Sequence, residues 1–227
     1  MTPGSSQPTI YVVDDDPAVR KSLSRLLRAK GWNVETFESA EAVLAGRGPL
    51  PPGCLVLDVA LPGLDGLELQ RRLAQTGKTL PIVFLTGHGD IPMTVRAIKE
   101  GAADFLTKPV RAAALLRAVQ AAVERDAAAR LEGEDAAELK RRFESLTVRE
   151  REVLAAVASG KLNKQIAGDL RIVEQTVKFH RARIMQRMQA RTAAELMHIA
   201  AKLGVGKKSP VSIDEADPES SPKPRPA

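Results

Sequence analysis

The sequence predicts an α/β unit built on a parallel sheet, followed by a smaller all-helical unit. Three observations predict it. Short apolar runs alternate with amphipathic stretches through the first half. From Ser145 onward the apolar residues recur only at helical spacing. The net positive charge is confined to that second half.

Each element has its own signal. Ile10, Tyr11, Val12 and Val13 read as a buried strand. Asp16-Pro17 then supplies an N-cap and a proline at the first helical position. Leu23, Leu26 and Leu27 share one face of the helix that follows, and Gly31 ends it. Residues 33–37 form a second strand and 39–45 a short helix. Leu55, Val56 and Leu57 form a third strand that stops at Asp58. Asp65 and Glu68 stand at capping-box spacing and open a helix over 66–75. Residues 82–85 form a fourth strand, followed by a helix from about Ile91. His88 reads as an exposed loop residue and Asp90 as the cap of that helix. A short fifth strand covers 104–107, and a long Ala/Leu-rich helix begins near Arg111. Residues 127–144 have no proline and extend it as a helical linker. Five strands alternating with five helices imply a parallel sheet covered on both faces.

Bulk properties narrow the function classes. The 227 residues suit two domains, and 44% apolar content fills a core in each. With aromatics at 3%, those cores are aliphatic. The single cysteine, Cys54, excludes an intramolecular disulfide and reads as a buried structural thiol. Residues 1–8 lack a signal-peptide pattern, and no apolar run reaches the length of a membrane span, so a cytoplasmic protein without membrane contact is expected. Residues 9–126 carry 15 Lys/Arg against 14 Asp/Glu, whereas residues 145–206 carry 11 against 5. Charge concentrated in one small segment favours a polyanionic partner. The tail from Lys207 holds five prolines with mixed charge and is expected to be disordered, as are residues 1–8.

Ligands of open parallel sheets bind beyond the C-terminal ends of the strands. Asp14 and Asp15 follow the first strand, Asp58 ends the third, Thr86 ends the fourth and Lys108 follows the fifth. All five should meet on one rim. Three converging carboxylates repel one another unless a hard cation joins them, and Mg²⁺ suits a few carboxylates plus a phosphate oxygen. Asp58 is placed as a nucleophile that would become an acyl phosphate. The Lys108 ammonium would stabilise the transferring charge. Thr86 offers a hydroxyl to the arriving phosphoryl group. Taken singly, an aspartate after a strand is usually a cap, as Asp16 is read here.

These residues carry a resemblance. Val12-Val13-Asp14-Asp15-Asp16, Leu57-Asp58 with Leu61-Pro62-Gly63 and Asp65-Gly66, Leu85-Thr86-Gly87, and Phe105-Leu106-Thr107-Lys108-Pro109 resemble the receiver domain of two-component response regulators over residues 9–126. The resemblance implies a flavodoxin-like fold with strand order 2-1-3-4-5 and phosphoryl transfer from a sensor histidine kinase to Asp58. It also implies Mg²⁺ held by Asp14, Asp15, Asp58 and the backbone carbonyl of Ala60. Thr86 and Phe105 match the two switch positions that turn inward on phosphorylation.

In the basic half, Thr147 with Glu150 and Thr192 with Glu195 form two capping boxes. Asn163 can cap a short helix containing Ile166, Ala167 and Leu170. A tight turn at 171–173 leads to a helix over 174–189, on which Val177, Ile184 and Met188 face the core. Gln175, Lys178, Phe179, Ala182 and Gln186 fall on the opposite face. Short helix, sharp turn and basic helix make a helix-turn-helix. Residues 146–154, Asn163-Lys164-Gln165-Ile166-Ala167 and Thr176-Val177-Lys178-Phe179-His180-Arg181 resemble the LuxR-type output domain over 145–204, which places an all-α four-helix domain at 145–206. The resemblance implies that Lys178, Phe179 and Ala182 face base edges of double-stranded DNA. Lys164, Thr176, Arg181 and Arg183 are the implied phosphate contacts, and His180 is a packing or contact residue. Dimerisation is implied through the last helix, 192–203. Two residues depart from the pattern: Arg171 stands where glycine closes the scaffold helix, and Val173 where a serine caps the recognition helix. A less stable domain or a fraying first turn is expected.

The combined expectation is a regulator of the NarL/FixJ family. Phosphorylation would drive a homodimer onto DNA and, with RNA polymerase as a further partner, activate transcription. It would be no enzyme beyond its own phosphorylation chemistry. A phosphatase using Asp58 would need a second acid nearby, but Ala60 stands two residues on. A phosphate relay that leaves DNA alone is at odds with the basic C-terminal segment.

Overall fold

The computed structural model describes residues 7–46, 50–75, 80–87 and 91–206, the last span without the side chains of residues 91–94. The expectations for His88, Asp90 and both termini lie outside the described residues. Two compact units divide between Gly133 and Glu134.

The first unit alternates strand and helix: β1 (Thr9–Val13), α1 (Pro17–Arg28), β2 (Asn33–Phe37), α2 (Ala40–Leu44), β3 (Gly53–Asp58), α3 (Gly66–Gln75), β4 (Ile82–Thr86), α4 (Ile91–Lys99), β5 (Asp104–Thr107) and α5 (Ala112–Glu144). The strands are parallel in the order β2-β1-β3-β4-β5, as expected. Side chains of successive strand residues point to opposite faces. Tyr11, Val13, Leu55, Leu57 and Phe84 therefore pack on one side under α2, α3 and α4. Ile10, Val12, Cys54, Val56, Val83 and Leu85 pack on the other under α1 and α5. Burial on both faces explains why these strands are continuous apolar runs.

At the N-terminal edge of the sheet β1 and β3 approach closely. A Cβ on Gly53, where φ is +155°, would lie 1.8 Å from the Thr9 carbonyl oxygen, so no other residue fits. The Gly53 N–H donates to the buried Asp126 carboxylate of α5 at 2.9 Å, and Arg130 Nε donates to the same oxygen at 2.8 Å. Cys54, the next residue, is completely buried, and burial pushes its thiol up to about 12.

Helix α5 is one continuous element of 33 residues, so the linker segment is its last part rather than a separate structure. In the second unit Leu139 and Phe143 of α5 pack with α6 (Val148–Ala158), α7 (Asn163–Leu170), α8 (Glu174–Met188) and α9 (Ala193–Lys202). Val177, Ile184 and Met188 are fully buried, as their spacing predicts.

The caps are a mixed result. Asp16 accepts from the Ala18 N–H, with Pro17 opening α1. Thr147 and Glu150 form the complete reciprocal box. Two other expected boxes are only halves. Asp65 accepts from the Glu68 N–H, but Glu68 turns its carboxylate to Arg71 and Arg72. Thr192 accepts from the Glu195 N–H, but Glu195 accepts from the Arg191 N–H instead. Asn163 is not the cap of α7. Leu162 holds that position, its N–H donating to Gln165 Oε1 at 2.8 Å, because Arg181 Nη1 takes the Asn163 carboxamide oxygen at 2.8 Å.

Candidate functional site

The C-terminal ends of β1, β3, β4 and β5 gather the polar residues of the first unit. Asp14 follows β1 and is fully buried, Asp15 beside it is exposed, and Asp58 ends β3 at 5% exposure. One ligand atom from each of the three carboxylates lies within 4.8 Å of the others. Lys108, just after β5, donates from Nζ to Asp14 Oδ2 and to Asp58 Oδ2, each at 2.7 Å. Backbone groups take the other oxygens: the Asp16 N–H donates to Asp14 Oδ1 at 3.0 Å and the Ala60 N–H to Asp58 Oδ1 at 3.1 Å. One ammonium thus bridges two buried carboxylates, while the third faces solvent. Burial by itself pushes the Lys108 ammonium down most strongly, but hydrogen bonds and charge from Asp14 and Asp58 together outweigh it and raise its pKa.

Thr86 closes β4 and is buried; its carbonyl accepts from the Lys108 N–H at 2.7 Å. Phe105 in β5 is half-buried against the Phe84 ring, with centroids 6.0 Å apart. Asp14, Asp15, Asp58, Ala60, Thr86 and Lys108 therefore lie on one rim, and Phe105 stands two residues before the end of β5, paired with Phe84. The donor set is all hard oxygen at small-cation separation, and ionised carboxylates keep acceptor capacity beyond the bonds described. The site fits a small divalent cation.

The second unit presents a different surface. α7 and α8 meet through the turn at 171–173. Gln175, Lys178, Phe179, Ala182, Arg183 and Gln186 of α8 are exposed on the face away from Val177, Ile184 and Met188. Phe179 keeps 53% of its surface in solvent, and the Arg183 guanidinium lies 4.7 Å from its ring centroid. Lys164 is exposed and Thr176 half-buried. Arg181 is half-buried, with part of its donor set directed to Asn163. The His180 ring packs edge-on to Phe179, centroids 6.0 Å apart.

Comparison with known proteins decides the family. The response regulator receiver domain matches residues 10–120, and the luxR family of bacterial regulatory proteins matches residues 144–200. Nodulation protein W of Bradyrhizobium diazoefficiens is 48% identical over 204 residues, 90% of each chain. The chain belongs to the NarL/FixJ-type response regulators. Transcriptional regulatory protein FixJ of Rhizobium meliloti is 41% identical over 198 residues, 87% of this chain and 97% of its own. The solved structure of response regulator StyR is 49% identical, covers 87% of this chain and all of that one, and superposes with a TM-score of 0.78. The regulator thus joins a receiver domain to a LuxR-type DNA-binding domain. Among the described residues no helix is long and apolar enough to cross a membrane.

Two side chains around the receiver rim, and the steric role of Gly66, escaped the sequence reading. Arg20 of α1 donates from Nη1 to the carbonyls of Asp14 and Asp15, at 2.6 and 2.9 Å. Glu41 at the start of α2 accepts from the Leu64 N–H at 3.1 Å, holding the loop after β3. A Cβ on Gly66 would stand 2.5 Å from the Asp58 carbonyl oxygen. Side chains that bond to backbone across a loop leave no periodic trace, although Arg20 one turn into a helix that follows an acid-rich strand end is a signal of a kind.

Proposed function

We propose that this regulator accepts a phosphoryl group on Asp58 from a sensor histidine kinase and, in that state, pairs and binds double-stranded DNA to regulate transcription. The observation that carries the reading is Lys108 Nζ at 2.7 Å from both Asp14 and Asp58. It sets a fixed cation beside a buried strand-end carboxylate. A carboxylate oxygen of Asp58 forms the new bond to phosphorus as the phosphorus–nitrogen bond of the donor's phosphohistidine breaks and the imidazole leaves with the electron pair. Lys108 turns one donor to a phosphoryl oxygen, a preorganised charge that requires little rearrangement. Asp14, Asp15, Asp58 and the Ala60 carbonyl would hold Mg²⁺, which would supply further positive charge against the phosphoryl oxygens. The Thr86 hydroxyl donates to the arriving group. Phe105 follows it inward, a move that buries no polar atom.

The reading assigns residues 9–126 to the receiver, 127–144 to a helical linker and 145–206 to the output domain, with the protein in the cytoplasm. On DNA, α8 enters the major groove with Lys178, Phe179 and Ala182 toward base edges. Lys164, Thr176, Arg183 and the remaining donors of Arg181 contact phosphates. Two paired regulators would occupy two half-sites and, acting with RNA polymerase, activate transcription.

Selection of bound duplexes from a random pool, with and without acetyl phosphate, tests this. A twofold-repeated site whose occupancy rises with the phosphoryl donor is expected, and the rise should vanish in Asp58→Ala. An Asp58→Ala protein that responds like the wild type would remove the proposal.

A further inference from the structure

The Arg20 guanidinium stands beside three consecutive acids, Asp14, Asp15 and Asp16, yet among the described residues it pairs with no carboxylate. Its Nη1 donates instead to two successive carbonyl oxygens, those of Asp14 at 2.6 Å and Asp15 at 2.9 Å. Those carbonyls belong to the peptide planes that follow the two residues, so holding both oxygens fixes ψ of Asp14 and of Asp15. The Asp16 N–H, bonded to Asp14 Oδ1 at 3.0 Å, ties the same turn from inside. Asp15 has greater need of such a tie. Asp14 is buried and bridged by Lys108, whereas Asp15 is exposed and, among the described residues, holds no side-chain bond to protein.

We infer that Arg20 is a positioning residue for the divalent-cation site: by clamping the Asp14 and Asp15 carbonyls it presents both carboxylates, and Asp15 above all, to the ion. The inference rests on the cation-site reading given above. It carries a sign of its own. A guanidinium beside a cation site repels the ion, so if charge were its only influence, removing it would tighten divalent binding. If it positions the acids, removing it weakens binding, because the ion must then order the turn itself.

The test is a titration of the full-length protein with Mn²⁺ alone, counting the free aquo ion by electron paramagnetic resonance. Mn²⁺ takes the same oxygen ligands as Mg²⁺. Arg20→Met is expected to raise the Mn²⁺ dissociation constant about tenfold, the order of effect for residues that orient metal ligands. Arg20→Lys, which keeps the charge but lacks the planar fork, should raise it by less. The Mg²⁺ concentration giving half-maximal phosphorylation by acetyl phosphate should rise in parallel, with a smaller change in the rate at saturation. Unchanged or tighter Mn²⁺ binding in Arg20→Met would overturn the inference. Should Arg20→Met fail to melt cooperatively, Arg20→Lys decides on the same terms, weaker binding supporting and unchanged binding overturning. Asp14→Asn separates the two levels: if it leaves Mn²⁺ affinity intact, the cation site itself is wrong and Arg20 falls with it.

Discussion

At Gly66 a single methyl group decides whether β3 can deliver Asp58 to the rim. The added carbon would meet the Asp58 carbonyl oxygen at 2.5 Å and Val59 Cα at 3.1 Å, and backbone on that side cannot swing away like a long side chain. Gly66→Ala should therefore destabilise the receiver by roughly 1–3 kcal/mol in a urea titration. It should also slow labelling by acetyl phosphate, because the relief of the clash moves Asp58. Glu150 gives a pH-dependent case. Its buried carboxylate is opposed first by desolvation, but bonds from the Thr147 backbone and hydroxyl, with Arg187 and Arg183 nearby, hold its pKa below the usual value. A lowered folded pKa means that the stabilisation is complete above the unfolded value of about 4.5 and fades as pH falls through the folded one. The helical melt of the chain should lose midpoint below that pH, and Glu150→Gln should flatten the dependence. Asp14, Asp58, Thr86 and Lys108 were legible in the sequence because each stands at a strand end, and strand ends can be read from apolar runs. Arg20 and Asp126 were not. The Asp126 bond to Gly53 spans 73 residues, and nothing local marks a polar residue that pairs with a distant backbone.

The turn between α7 and α8 shows the same division at the level of elements. Arg171 was expected in a glycine position, and it does adopt left-handed geometry, φ 52° and ψ 46°. Val173 was expected to leave α8 uncapped, and it makes no side-chain cap bond. A non-glycine residue in that region costs about 1–2 kcal/mol, so Arg171→Gly should raise stability by about 1 kcal/mol after the added chain entropy of glycine is deducted. Val173→Ser should add ~1 kcal/mol and protect the first amides of α8 in hydrogen exchange. An unchanged unfolding midpoint in both variants would mean that the turn is not strained in solution. Cap rules failed where a competitor lay elsewhere in the fold. Asn163 has the right side chain for its helix start, but Arg181, 18 residues on, claims the oxygen. Glu195 has the right spacing, but the Arg191 N–H claims its carboxylate. Element existence follows from periodicity; which of several acceptors a donor chooses follows from packing.

Across the whole molecule the charge is divided by function. The receiver segment is close to neutral, and the basic excess of residues 145–206 sits with the exposed face of α8. Duplex affinity should fall steeply with salt, with a logarithmic slope of roughly −0.9 per neutralised phosphate. Lys164→Ala should weaken binding evenly across sequences and reduce the slope by about 1 per protomer. Lys178→Ala should instead change which sequences emerge from a selection. A slope that Lys164→Ala leaves intact would take that residue out of the phosphate contacts. The sequence made this division visible because charge counts survive without coordinates, and the proline-free run over 127–144 made the extension of α5 visible in the same way.

Cys54 has a practical consequence. It is the chain's single cysteine, sealed beneath α1 and α5 with its thiol pushed up to about 12, so the native protein should ignore disulfide-exchange reagents until denaturant opens the sheet. A cysteine introduced at an exposed position such as Val95 or Gln186 would then be the one reactive handle on the folded molecule. A spin label or fluorophore could be attached there without first stripping the native thiol from the core.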